Sequence, residues 1–74
     1  MANYDDITPE QLAALVVDHG LVPTDIVGVQ TDREYAFVTF LTEDEDGEVD
    51  GRWVAAIRLY DGVLEEVLDE AEID

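Results

Sequence analysis

The side chains of this chain that could do chemistry are almost all carboxylates. Asp and Glu number 20, against 3 Arg, no Lys and 1 His, for a formal net charge of −17. Most fall in two runs. Glu43, Asp44, Glu45, Asp46, Glu48 and Asp50 form the first; Glu65, Glu66, Asp69, Glu70, Glu72 and Asp74 form the second. Paired carboxylates can cleave a glycosidic bond when a cleft holds the sugar and burial raises the pKa of one of them. A chain of 74 residues leaves little room for such a cleft, and carboxylates clustered in water meet nothing that raises a pKa. Asp46, Glu48, Asp50 and Gly51 match positions 1, 3, 5 and 6 of a calcium loop, but Ile57 stands at position 12, where Glu is required. The flanks also read as strands rather than helices. An EF-hand is therefore excluded, and the loop offers only weak, nonspecific cation binding.

Other chemistries lack their residues. The chain has neither Ser nor Cys, so it has no nucleophilic triad, thiolate or disulfide. A zinc site lacks ligands of the right kind, and no glycine-rich phosphate loop is present. His19 is the single histidine. At the end of an expected helix it serves the helix C-terminus as a cation or fills the edge of the core; general acid/base work needs a positioned partner, and the sequence places none beside it. The expectation is a protein that is not an enzyme and takes no cofactor or metal. Nucleic acid and anionic membranes are bound through Lys and Arg, and only Arg33, Arg52 and Arg58 are available. No basic segment precedes an apolar run as in a signal peptide, and no apolar stretch approaches the roughly 20 residues of a membrane span. The expectation is a soluble, cytoplasmic protein.

The elements that must position these groups read as one domain over residues 1–74, with an apolar fraction of 47% that argues against disorder. Thr8-Pro9-Glu10-Gln11 is a helix start, with Thr8 as cap, Pro9 at the first helical position and Gln11 closing a capping box. Leu12, Leu15, Val16 and His19 follow at helical spacing and Gly20 ends the helix, predicting it over 9–19. Residues 25–31 read as a strand with Gly28 marking a bulge or a close contact. A polar turn at 31–34, a strand over 35–42, a charged loop over 43–51 and a strand over 52–60 follow. Val63, Leu64, Val67, Leu68 and Ala71 then recur at a helical spacing. The predicted fold is α+β, a two-layer sandwich in the order α-β-β-β-α, with a three-stranded antiparallel meander and two helices on one face.

Neither long strand has a cleanly polar side. Tyr35, Phe37, Thr39 and Leu41 face one way, and Ala36, Val38, Phe40 and Thr42 the other. One side carries the core under the helices, which leaves the second partly apolar and aromatic: either an ordinary scatter of exposed side chains or a contact surface, including one between two copies. On the predicted second helix, Glu65 with Asp69 and Glu66 with Glu70 are like-charge pairs at i, i+4, each costing roughly 0.2–0.5 kcal/mol. Glu70, Glu72 and Asp74 lie at its C-terminus, where the helix dipole prefers cations. Choices this unfavourable mark a function or an unusual solvent.

Two functions are compatible with these readings. The first is an acidic module that occupies a basic, nucleic-acid-binding surface of another protein. Its contact residues would be Glu65, Glu66, Asp69, Glu70 and Glu72, with Glu43, Asp44, Glu45 and Asp46 of the loop second. In size and charge the chain is similar to phage-encoded DNA-mimic proteins, including anti-CRISPR and anti-restriction inhibitors, and that resemblance implies an inhibitor that competes with DNA or RNA. The second is an accessory domain of a salt-loving organism, in which acidity and the absence of Lys are adaptations to solvent.

Overall fold

The computed structural model describes residues 7–70. The chain begins with helix α1, Pro9–Val16, continued by a 3-10 turn over Val17–His19. The expected capping box is present in both directions. Thr8 Oγ1 accepts from the backbone N–H of Gln11 at 3.2 Å, and Gln11 Oε1 accepts from that of Thr8 at 2.9 Å. Gly20 ends the turn in the left-handed region, at φ 71°. That conformation suits glycine because it has no Cβ to clash.

Four strands follow, β1 Pro23–Thr31, β2 Tyr35–Glu43, β3 Val49–Arg58 and β4 Leu64–Asp69. They form one four-stranded antiparallel sheet in the order β1-β2-β3-β4. The meander and the α+β class are as expected from the sequence, whereas the number of strands and helices is not. Leu64–Asp69 of the segment expected to be a second helix is the edge strand β4, so among the described residues a single α-helix covers the sheet.

The reason lies in the register. Val54 pairs with Leu68, Ala55 with Val67 and Ala56 with Glu66, but Ile57 pairs with Leu64, so Glu65 is the extra residue of a bulge. The bulge sends Leu64 and Val67, three residues apart, to the same side of the sheet, where both pack against the core. A spacing of three is also the helical signal, which is why the sequence misleads here. The like-charge pairs and the C-terminal acids would oppose the helix. In a strand, Glu65 and Asp69 no longer adjoin, and no dipole of helical size acts on Glu70. β3 meanwhile gains a hydrogen-bonding partner for an edge that would otherwise be open.

β2 alternates strictly between buried and half-buried residues, as a strand does when only one of its faces is covered. Ala36, Val38 and Phe40 of β2 and Ala55 and Ile57 of β3 meet Leu12 and Val16 of α1 in a core from which water is fully excluded. Ile26 and Val29 of β1 and Trp53, Leu64 and Val67 surround it. At about 25 cal/mol per Å² of apolar surface, a buried Phe, Leu or Ile contributes roughly 1.5–3 kcal/mol, and these few residues hold the domain. On β1 the register shifts between Ile26 and Gly28, the bulge expected at that glycine. A Cβ at Gly28 would meet open space, so a close approach is not its purpose. No helix among the described residues is long and apolar enough to cross a membrane.

Candidate functional site

The first acidic run is better ordered than a solvated loop need be. The strands extend further than expected, and the connection shrinks to Asp44–Glu48. The Asp44 carboxylate organises it, with Oδ1 accepting from the backbone N–H of Asp46 at 2.9 Å and of Glu48 at 3.0 Å. Gly47 donates to the Asp44 carbonyl at 3.1 Å and takes φ 82°, the left-handed position that a type I turn with a glycine bulge requires. Asp50 Oδ1 accepts from the Thr42 hydroxyl at 2.8 Å, and Thr42 is buried, so this bond anchors the base of the hairpin. Asp44 and Asp50 are thus spent on the hairpin itself. Glu45, Asp46 and Glu48 are exposed, and no hydrogen bond or ion pair among the described residues engages their carboxylates. No group of three or more His, Cys, Asp or Glu among the described residues is placed to hold a metal ion. The partial match to a calcium loop therefore falls on a hairpin in which the Asp50 carboxylate is already engaged by the Thr42 hydroxyl.

The second run does not form the helical array expected of it. Among the described residues, Glu65, Glu66 and Asp69 lie on β4 and Glu70 follows it. Glu65 sits on the bulge and pairs with Arg58, which also reaches Asp61 at 3.8 Å. Glu66, opposite Ala56, points to the side of the sheet away from α1. Asp69 lies opposite Trp53, and Glu70 pairs with Arg52 at 3.2 Å. Glu72 lies outside the described residues.

The meander sorts these charges by end. The β2–β3 hairpin, the start of β1 and the end of β4 share one end of the sheet. There Glu43, Asp44, Glu45, Asp46, Glu48 and Asp50 meet Asp69 and Glu70, and Arg52 is the nearest arginine in the register. Arg33 and Arg58 belong to the opposite end, with Asp32, Glu34, Asp61 and Glu65. Same-side neighbours on a strand stand roughly 7 Å apart, and at that distance two carboxylates in water repel by about 0.6 kcal/mol before salt screening. The hairpin end is therefore a pole that is held in place despite repulsion.

The face of the sheet opposite α1 is the second feature. It presents Tyr35, Phe37, Thr39 and Leu41 of β2, Val54 and Ala56 of β3 flanked by Arg52 and Arg58, and Glu66 and Leu68 of β4. No described element covers it. Tyr35 and Phe37 stand with ring centroids 6.0 Å apart and planes tilted by 36°. Beside them a shallow cavity of about 450 Å³ is lined by Tyr35, Phe37, Ala56, Glu65 and Glu66. The alternation of β2 signals the aromatic side. What sequence reasoning missed is that Glu65 and Glu66 border it, because that depends on β4 lying beside β3. His19 is exposed at the end of the 3-10 turn, away from the core.

Compared with known proteins, the chain matches no family model, no curated protein and no solved structure.

Proposed function

We propose that this protein is a non-catalytic acidic binding module that occupies a basic, nucleic-acid-binding surface of a partner protein, as a DNA-mimic inhibitor would. The observation that carries this reading is the hairpin pole, where carboxylates outnumber arginines and the turn is fixed by bonds from Asp44 and Asp50. An ordered polyanion loses little entropy on binding, whereas a flexible acidic tail must be ordered at the moment of contact. Carboxylates spaced along paired strands can meet the Lys and Arg of a groove that otherwise holds phosphates. With the helical array gone, Glu43, Glu45, Asp46 and Glu48 become the principal contacts, and Glu66, Asp69 and Glu70 extend them along β4.

The test is capture by the immobilised protein from a nuclease-treated cell lysate, with duplex DNA as competitor. The reading predicts bound proteins that DNA releases and that the variant E43K/E45K/D46K, folded by circular dichroism, fails to bind. Capture that is indifferent to DNA, or equal for the variant, contradicts it.

The second reading, solvent adaptation in a salt-loving organism, has its own observation. Acids also occupy α1, the turn after it and the far end of the sheet, at Glu10, Asp18, Asp32, Glu34 and Asp61. A halophilic domain needs molar salt to fold, and a mimic does not.

A further inference from the structure

We infer that the open sheet face carries a socket for a cationic side chain, best an arginine guanidinium, presented by the basic partner proposed above; the inference rests on that proposal and states where the partner's side chain seats. The cavity beside Tyr35 and Phe37 combines two aromatic rings, the small floor of Ala56 and two carboxylates in a volume of about 450 Å³. Consecutive residues of a regular strand point to opposite faces, so Glu65 and Glu66 border one cavity because of the bulge between their pairings. Bulges recur where a side chain must be re-aimed toward a site. Glu65 already holds the guanidinium of Arg58, so this corner accommodates that group within the chain itself. Glu66 is exposed, and no cation among the described residues pairs with it.

A guanidinium fits this set of groups better than other ligands do. Its flat face stacks on an aromatic ring while its edge donates two parallel hydrogen bonds to a carboxylate. An anion would meet the uncompensated Glu66, and a purely apolar side chain would leave Glu66 facing it without a partner. A second copy of this chain is an unsuitable occupant of the face, because each copy carries a net charge of −17.

The test is an NMR titration of the ¹⁵N-labelled protein with acetyl-Gly-Arg-Gly-amide, and with its lysine counterpart, at about 150 mM salt, where long-range attraction is screened. Expected are saturable shifts at Tyr35, Phe37, Ala56 and Glu66, with ring-current shifts on the arginine methylenes. Glu66→Gln and Phe37→Leu, the latter keeping an apolar group of similar bulk, should each weaken binding by about three- to tenfold with the spectrum otherwise unchanged. Shifts confined to residues 43–50, or equal binding by both variants, would overturn the socket. An equal response to the lysine peptide would overturn the guanidinium assignment, as would sedimentation showing a dimer through this face. The hairpin reversal tests the broader proposal separately. If it abolishes DNA-sensitive capture while the tripeptide shifts nothing on the open face, the module stands and the socket falls. If it changes nothing, the module falls and the titration still decides the socket.

Discussion

Tyr35 and Phe37 stand two residues apart on β2 with ring centroids 6.0 Å apart, on the side of the sheet that α1 does not cover. Across β3, Tyr35 faces Arg58, and Phe37 faces Ala56 with Glu66 beyond it on β4, so an aromatic pair and a charged edge share one face. On the opposite side of the same strand, Ala36, Val38 and Phe40 are fully buried. One nine-residue strand therefore divides the molecule into a side that holds it together and a side free to do something else.

The first prediction concerns the side that holds. Phe40→Ala removes the largest fully buried side chain and should cost about 3–5 kcal/mol. A domain this small has a total stability of the same order, so the variant should be largely unfolded at 25 °C by circular dichroism. Phe37→Leu, on the open side, should leave the thermal midpoint within a few degrees of the original.

A second prediction tests β4. Val54 and Leu68 are paired across β3 and β4 on the open face. Directly opposed residues in an antiparallel pair stand about 4.5–5.5 Å apart at Cα, within the range a disulfide spans. The chain has no cysteine, so V54C/L68C should oxidise to one intramolecular bond. Closing a loop of about 15 residues should raise stability by up to about 3 kcal/mol on the chain-entropy account. A helix in place of β4 would break the register and leave both thiols titratable.

The turn and cap make a third. Gly47 holds φ 82°, where a side chain is strained whatever the space around it. Gly47→Ala should therefore cost about 1–2 kcal/mol, and Gly47→Asn less, because asparagine tolerates that region. Thr8→Ala removes one half of the capping box and should cost about 1 kcal/mol. Urea denaturation measures all three.

The ion pairs make a fourth. Arg58 bridges Asp61 and Glu65 near the surface, where such pairs are worth about 0–1 kcal/mol. Added salt should weaken these pairs yet stabilise the domain as a whole, since it screens the repulsion among far more numerous carboxylates. The thermal midpoint should rise between low and moderate salt, and a fall would show that the arginine pairs dominate instead.

Much of the fold was legible in the residues. Thr8, Pro9 and Gln11 act locally, and local signals survive folding. Gly28 marked a real bulge, and the alternation of Tyr35 to Thr42 marked the strand and its two faces. β4 was not legible, because Glu65 slips out of register and throws Leu64 and Val67 onto one side at a helical spacing. The like-charge pairs from Glu65 to Glu70 are reasons for a helix not to form there. The candidate site suffered the same way. Both acidic runs could be located, but their grouping into a pole at one end and an edge beside Phe37 follows from strand pairing, which no short stretch of sequence encodes. Val49 to Gly51 were assigned to the loop for their charge and glycine content, and pairing with Thr42 and Glu43 draws them into β3.

If the carboxylates act on a partner rather than on solvent, the domain folds without salt. The most direct measurement is the ¹⁵N–¹H spectrum of the protein in dilute buffer without added salt. Well-dispersed amides are expected across the sheet, with those of Asp46 and Glu48 protected by their bonds to Asp44. A collapsed spectrum that disperses only in molar salt would contradict action on a partner.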